Sequence, residues 1–328
     1  MNLLITLAGI ALLLVGGEGL VRGAVGIARR MGISPFIVGL TIVGFGTSAP
    51  ELVVSVDAAL AGSPGIAVGN VIGSNMANIM LIVGAASLLC PLAVHRDALR
   101  RDGLVMTGAT ILFVAAAFNG TISRLVGTGF VVALFLYLVI SLWWDSRQGD
   151  ATAFLHGEEA ADIAIGLPSR LSFLIASIVI GLAALIGGSR LAVIGATALA
   201  RDAGISEEII GITLVAVGTS LPELATAIMA AKRGHADVCV GNIIGSNIFN
   251  LLGIAGAAAM VTPLPFAPDI IGPDLWALLG ATAIMMAFMM TGRRIERWEG
   301  AGLLLLYAVY VAYHLLPGGL KAVVTSGP

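Results

Sequence analysis

The heptapeptide GTSAPEL at residues 46–52 recurs as GTSLPEL at 218–224, an offset of 172, and both copies lie inside apolar segments. The same offset carries GNIIGSNIFN at 241–250 onto GNVIGSNMAN at 69–78, with seven of ten residues identical and no gap. Between 39–52 and 211–224, nine of fourteen agree. A register held over two separate blocks marks a duplicated chain. Each copy also sets one glutamate, Glu51 or Glu223, within a stretch that hydropathy assigns to the bilayer. A carboxylate there is costly and generally functional.

Composition says what kind of chain was duplicated. Hydrophobic residues make up 58% and charged residues 11%, and the mean hydropathy is +1.03. A soluble domain carries about 25% charge, so the chain reads as an integral membrane protein. Its 43 glycines suit transmembrane helices that approach closely. The net charge of −2 says nothing about nucleic acid, but no basic run looks like a phosphate-binding patch, so no nucleic-acid partner is expected. Cys90 and Cys239 end apolar segments with no second cysteine nearby, and read as packing residues rather than a disulfide or metal site. His95, His156, His235 and His314 fall at segment ends or in loops, with no carboxylate at metal-ligand spacing. Neither a nucleophile–base pair nor a ligand set of histidines stands out, so no enzyme activity and no cofactor are expected. The apolar start has no Lys or Arg before Arg22. It lacks the basic region of a signal peptide and reads as a first span.

At roughly 20 residues per span, the hydropathy pattern predicts an all-α membrane protein with ten transmembrane helices. They fall near 3–24, 35–61, 66–89, 104–118, 125–144, 171–191, 208–231, 238–260, 272–290 and 300–316. Residues 1–144 form a first five-helix repeat, with its motif in 39–78. Residues 145–169 form a cytoplasmic linker, and 170–328 a second five-helix repeat with its motif in 211–250. The linker carries Asp145, Asp150, Glu158, Glu159 and Asp162. It reads as a solvated acidic stretch, without the alternating spacing of a calcium loop. Thirteen of the seventeen Lys and Arg residues fall in loops after odd-numbered helices. By the positive-inside rule both termini then face outward. An odd number of spans per half turns the second repeat upside down, and inverted repeats with a site near the midplane are a transporter architecture.

Within the second helix, Thr47, Ser48 and Glu51 share one helical face at spacings of four and three. Pro50 has no N–H for the Gly46 carbonyl and its ring opens the turn. The carbonyls of Gly46 and Thr47 are therefore expected to be free and to point toward the Glu51 carboxylate. Gly218, Thr219, Ser220, Pro222 and Glu223 repeat the arrangement. Irregular backbone at membrane depth needs another partner, and a dehydrated cation is one. The third helix adds a polar stripe of Asn70, Ser74 and Asn78, and the eighth matches it with Asn242, Ser246 and Asn250. Gly69, Gly73, Gly241 and Gly245 provide small faces for close crossing. All donors are hard oxygens, which suits calcium and sodium and disfavours zinc and copper. Two carboxylates balance one calcium ion. Asn70, Asn75, Asn242 and Asn247 serve equally well as hydrogen-bonding glue between helices. Glu51 and Glu223 differ, because no Lys or Arg lies near mid-span in their helices to pair with them. Glu18 and Arg190 share a register position and read as end-of-helix charges.

The paired GTSxPEL and GNxxGSNxxN motifs resemble the two alpha repeats of the sodium/calcium exchangers, within the cation/calcium antiporter superfamily, and the chain is most similar to prokaryotic members. The resemblance implies that Glu51, Glu223 and the carbonyls of Thr47 and Thr219 surround calcium. It also implies that sodium uses Ser48, Ser74, Ser220 and Ser246 with the same glutamates, and that Asn78 and Asn250 are the polar positions closing each repeat. Potassium-dependent relatives carry aspartate where this chain has Asn250, so potassium-independent exchange is expected. The implied activity is electrogenic sodium/calcium antiport by alternating access, from a monomer in the cytoplasmic (inner) membrane. The glycine-rich first and sixth helices (Gly16, Gly17, Gly23, Gly187, Gly188 and Gly195) would slide past the core. Proton/calcium antiport and a passive cation channel are the rival readings.

Overall fold

The computed structural model describes residues 1–94, 99–161, 170–202, 216–266 and 273–315. Helices dominate: α1 (Asn2–Met31), α2 (Pro35–Thr47), α3 (Ala49–Leu60), α4 (Pro64–Leu89), α5 (Leu99–Phe118), α6 (Arg124–Ala161), α7 (Leu171–Asp202), α8 (Ala216–Thr219), α9 (Leu221–Lys232), α10 (Ala236–Val261), α11 (Pro273–Met290) and α12 (Arg297–Leu315). Four two-residue strands lie between them: β1 (Leu92–Ala93), β2 (Thr121–Ile122), β3 (Leu264–Pro265) and β4 (Arg294–Ile295).

Among the described residues, seven helices are long and apolar enough to cross a bilayer, and the bent pair α2 and α3 makes an eighth. The protein is thus a multi-pass, all-α membrane protein. Two of the ten expected crossings are not among these eight. The expected seventh begins at 208, outside the described residues until α8. The expected tenth, α12, is long enough at 19 residues but carries Arg297, Glu299 and His314 toward its ends, which lowers its hydropathy. Helix α6 continues as far as Ala161, so much of the expected linker prolongs a helix, and 162–169 lie outside the described residues. Helices α1 and α7 also run past their expected ends, to Met31 and Asp202. Glu18 and Arg190 are therefore mid-helix residues, a correction to the end-of-helix reading. His314 Nε2 lies 2.9 Å from Asp274 Oδ1 on α11. That partner is 40 residues distant in sequence and so invisible to a spacing rule.

The duplication survives as geometry. An offset of 172 carries 64–76 onto 236–248, both α-helical. It carries the π-helical turn at Ala77–Ile82 onto the π-helical turn at Phe249–Ile254, and β1 onto β3. The strands then cross between halves, β1 pairing antiparallel with β4 and β2 with β3. Each half supplies one strand to each ribbon, so the two ends of the bundle are tied by matching devices.

Burial separates a centre from a periphery. The apolar window of α10 is 94% buried and that of α4 is 72% buried, whereas the windows of α1 and α7 are 33% and 28% buried. Helices α1 and α7 lie antiparallel along each other, and small residues set their separation. A Cβ on Gly188 would sit 2.8 Å from the Gly9 carbonyl oxygen, and one on Gly16 would sit 2.8 Å from that of Gly181. Only glycine permits backbones that near, and close van der Waals packing is what drives helix association in lipid. On the other side of the centre, a Cβ on Gly245 would lie 2.1 Å from the Leu40 carbonyl oxygen. That contact seats α10 directly on α2. No such partner segment is described for Gly69 and Gly73, because its counterpart in register lies within 203–215.

Candidate functional site

Both halves break a helix at the same place. Helices α2 and α3 meet at Ser48 with a bend of 44°, and α8 gives way to α9 at Ser220. Pro50 and Pro222 each stand at the start of the resuming helix, where a missing N–H costs nothing. The break leaves Glu51 and Glu223 in the first turns of α3 and α9, where the helix dipole favours negative charge. Both carboxylates are buried, at 1% and 2% exposure.

Hydrogen bonds then cross-connect the halves. Ser48 Oγ donates to Glu223 Oε1 at 2.8 Å, and Ser220 Oγ donates to Glu51 Oε1 at 3.4 Å. Offset by 172, each bond is the image of the other. A contact in which i meets j while their counterparts meet in return is what a two-fold axis produces. Three further links between the halves have no image at the same offset among the described residues. Asn250 Nδ2 donates to Ser74 Oγ at 3.0 Å, Thr47 Oγ1 lies 3.3 Å from Asn242 Oδ1, and Ser246 Oγ donates to the Gly44 carbonyl at 3.2 Å.

What remains unpaired is informative. Glu51 Oε2, Glu223 Oε2, Asn78 Oδ1, Asn250 Oδ1, Asn75 Oδ1 and Asn247 Oδ1 are buried with no hydrogen-bond partner. Among the described residues no Lys or Arg bridges to either glutamate, and no cluster of three His, Cys, Asp or Glu side chains forms. Buried polar atoms are almost always satisfied, and an unpaired buried carboxylate is especially expensive. Unpaired oxygens outnumber unpaired donors here, the amide nitrogens of Asn78 and Asn242 being the donors left over, and a surplus of oxygen acceptors is what a hard cation completes.

The ten residues singled out from sequence are placed unevenly. Ser48, Glu51, Ser220 and Glu223 interlock directly, and Ser74 with Asn250 forms a second contact between halves. Asn78 and Asn250 stand in the two matching π-helical turns, the Asn78 side chain without a partner. The Thr47 hydroxyl also bonds back to the Val43 carbonyl at 3.0 Å. Ser246 is turned to the Gly44 backbone, and Thr219 lines a neighbouring cavity of about 400 Å³. The expectation of free carbonyls needs correcting on one side, because the Gly218 carbonyl accepts from Ser189 Oγ at 2.5 Å. Asn70 has a positioning role, its Nδ2 reaching the Glu51 carbonyl at 3.1 Å and Ser55 Oγ at 2.9 Å. Sequence reasoning missed Ser55, Ser189 and the π-helical turns. Such turns mark functional sites, yet they arise from packing and leave no residue signature.

Comparison with known proteins agrees with this geometry. The family model described as sodium/calcium exchanger protein matches residues 1–143 and 173–316. The sodium/calcium exchanger MaX1 of Methanosarcina acetivorans is 34% identical, over 94% of this chain and 97% of that one. The inner membrane protein YrbG of Escherichia coli is 38% identical, over 91% of each. The solved structure of the sodium-calcium exchanger NCX_Mj superposes with a TM-score of 0.80 at 32% identity, covering 95% of this chain and 97% of that one.

Proposed function

The chain belongs to the sodium/calcium exchanger family, and from that premise we propose that it exchanges sodium for calcium across the cytoplasmic membrane by alternating access. The observation carrying this reading is the pair of buried carboxylates from the two halves, each held by the other half's serine and each keeping one unpaired oxygen. A calcium ion between Glu51 and Glu223 would be charge-balanced, with the Thr47 and Thr219 carbonyls completing its shell. Sodium ions would use the same glutamates with Ser48, Ser74, Ser220 and Ser246, and with Asn78 and Asn250 at the margins. Because the oxygens are shared, calcium and sodium would compete for one site, and competition is what makes the exchange coupled.

Ten crossings arranged as two inverted five-helix repeats, with both termini outward, fit the antiparallel packing of α1 against α7 and the positive-inside count. The inner-membrane placement of YrbG supports the same membrane for this chain, which would act there as a monomer. If three sodium ions move per calcium, a tenfold sodium gradient contributes about 4 kcal/mol, and the charge transferred adds about 2.3 kcal/mol per 100 mV. Two carboxylates rather than three, with amides at Asn78 and Asn250, favour potassium-independent exchange.

The test is radiolabelled calcium uptake into proteoliposomes under imposed sodium, potassium or proton gradients. Uptake should follow the sodium gradient and ignore potassium. Glu51→Gln and Glu223→Gln should each lower it by at least about a hundredfold, since stripping one charge from a buried cluster costs about 3–5 kcal/mol. Uptake driven by a pH gradient without sodium would replace this reading with proton coupling.

A further inference from the structure

Arg190 lies in the middle of α7 and lines the cavity of about 400 Å³ that also contains Ala49, Pro50, Gly218 and Thr219. Its side chain is exposed at the protein surface and, among the described residues, makes no ion pair. A guanidinium at membrane depth must be paired, snorkel to the interface or face water. Among the described residues Arg190 has no ion-pair partner; Val53, Val54, Ile186, Val193 and Ile194 make most of the cavity wall apolar, so the guanidinium, with Ser189 and Thr219, is what would hold water in a space large enough for several molecules at about 30 Å³ each. The same cavity touches Thr219 and the broken turn at Pro50, so it abuts the ion site from the side of α3, α7 and α8. Neighbouring Ser189 ties α7 to the Gly218 carbonyl, which holds Arg190 at a set position relative to that turn.

We propose that Arg190 is a specificity-determining residue: a fixed positive charge in a hydrated vestibule that disfavours divalent cations more strongly than monovalent ones on their way to the site. This rests on the exchange reading above. A uniform potential acts on an ion in proportion to its charge, so whatever factor Arg190 imposes on sodium, it imposes as the square on calcium. A unit charge acting through roughly 10 Å of water changes monovalent binding about twofold, hence divalent binding about fourfold. Added salt should erase the effect as the screening length shrinks below the size of the vestibule.

Two measurements test it. In proteoliposomes at low ionic strength, Arg190→Gln should lower half-saturating sodium about twofold and half-saturating calcium about fourfold. Arg190→Lys should leave both within error, and the shifts should shrink in about 1 M choline chloride. Equal shifts for the two ions, or a lysine variant that behaves like glutamine, would show shape rather than charge at work and overturn the proposal. The second measurement does not depend on transport. In a background with Cys90 and Cys239 changed to alanine, Val193→Cys should react with water-soluble methanethiosulfonates, faster with the anionic reagent than with the cationic one. Adding Arg190→Gln should collapse that preference. An unreactive Val193→Cys, or a preference unaffected by Arg190, overturns the hydrated, charged vestibule even where exchange itself is intact. Absence of sodium-dependent uptake in the unmodified protein would sink the exchange reading instead, leaving the labelling result to judge the vestibule.

Discussion

Glu18 and Arg190 occupy one register position in the two halves, and their surroundings differ at every contact. Glu18 on α1 pairs with Arg22 on its own helix and with Arg233 at the end of α9, Arg233 Nε lying 3.0 Å from Glu18 Oε2. Beside it Gly17 lets α1 close on α9, where an added Cβ would lie 3.2 Å from Met229 Cγ. In the other half the equivalents of Gly17 and Arg233 are Ser189 and Ala61. There α7 stands beside a cavity and carries Arg190, which has no ion-pair partner among the described residues. At the centre, by contrast, Ser48 with Glu223 and Ser220 with Glu51 are near images of each other. Duplication has kept the serine–glutamate pairs of the proposed site and let the flanks diverge. The match is confined to the serine–glutamate pairs, since Asn250 bonds Ser74 while its counterpart Asn78 has no partner among the described residues.

The strongest way to break this comparison is to attack what both halves share. Gly188→Leu would drive a branched side chain into the Gly9 carbonyl and the Leu13 amide nitrogen, 2.8 and 2.9 Å from its Cβ. Overpacking of this kind costs about 1–3 kcal/mol or more, and here no flexible side chain can give way. We expect a loss of several degrees in thermal midpoint in detergent, or no folded protein. Gly19→Ala on the same helix pair, whose nearest neighbour would be 3.6 Å away, should be nearly silent. Equal damage from both would mean that the helices are not held by backbone proximity.

A finer test compares the two serines. Ser48 meets its glutamate at 2.8 Å and Ser220 at 3.4 Å. Hydrogen bonds to charged groups are worth about 1.5–3 kcal/mol when well formed and weaken with length. Ser48→Ala should therefore raise half-saturating calcium about tenfold, and Ser220→Ala by a smaller factor. Equal effects would show that the difference in length disappears once an ion is bound.

Much of this centre was legible in the chain, and the reason is chemical. Carboxylates, prolines and amides are rare in apolar helices, so Glu51, Pro50, Asn78 and their counterparts stand out against their background, and the repeat says that they meet. The flanks were not legible, because their meaning depends on partners far away in sequence. Glu18 finds Arg233 across 215 residues. Ser189 acts on Gly218 through a bond that no spacing announces. Helix ends were misjudged for a related reason. Apolarity alone does not end α1 at Ala24, and the helix continues through Arg29 and Arg30 to a left-handed Gly32. That error moved Glu18 and Arg190 to helix ends and hid what they do.

The smallest expected effect bears on the flanks, and it asks whether their divergence is chemical or geometric. The Glu18/Arg233 pair is partly exposed, at 21% and 39% for the two side chains, so screening limits it to about 0.2–1 kcal/mol. A double-mutant cycle with Glu18→Gln and Arg233→Gln, read by thermal unfolding, should return a coupling in that range. The pair can also be rebuilt on the opposite flank by combining Arg190→Glu with Ala61→Arg. If the halves differ only in which side chains they carry, the double variant should show a similar coupling and should slow ion entry through the α3, α7 and α8 cavity. If no coupling appears, position 61 is too far from position 190 to be bridged. The cavity would then reflect a backbone displacement between the halves rather than a missing salt bridge, which is the result expected of a transporter caught with one side open, since alternating access moves helices and not single charges.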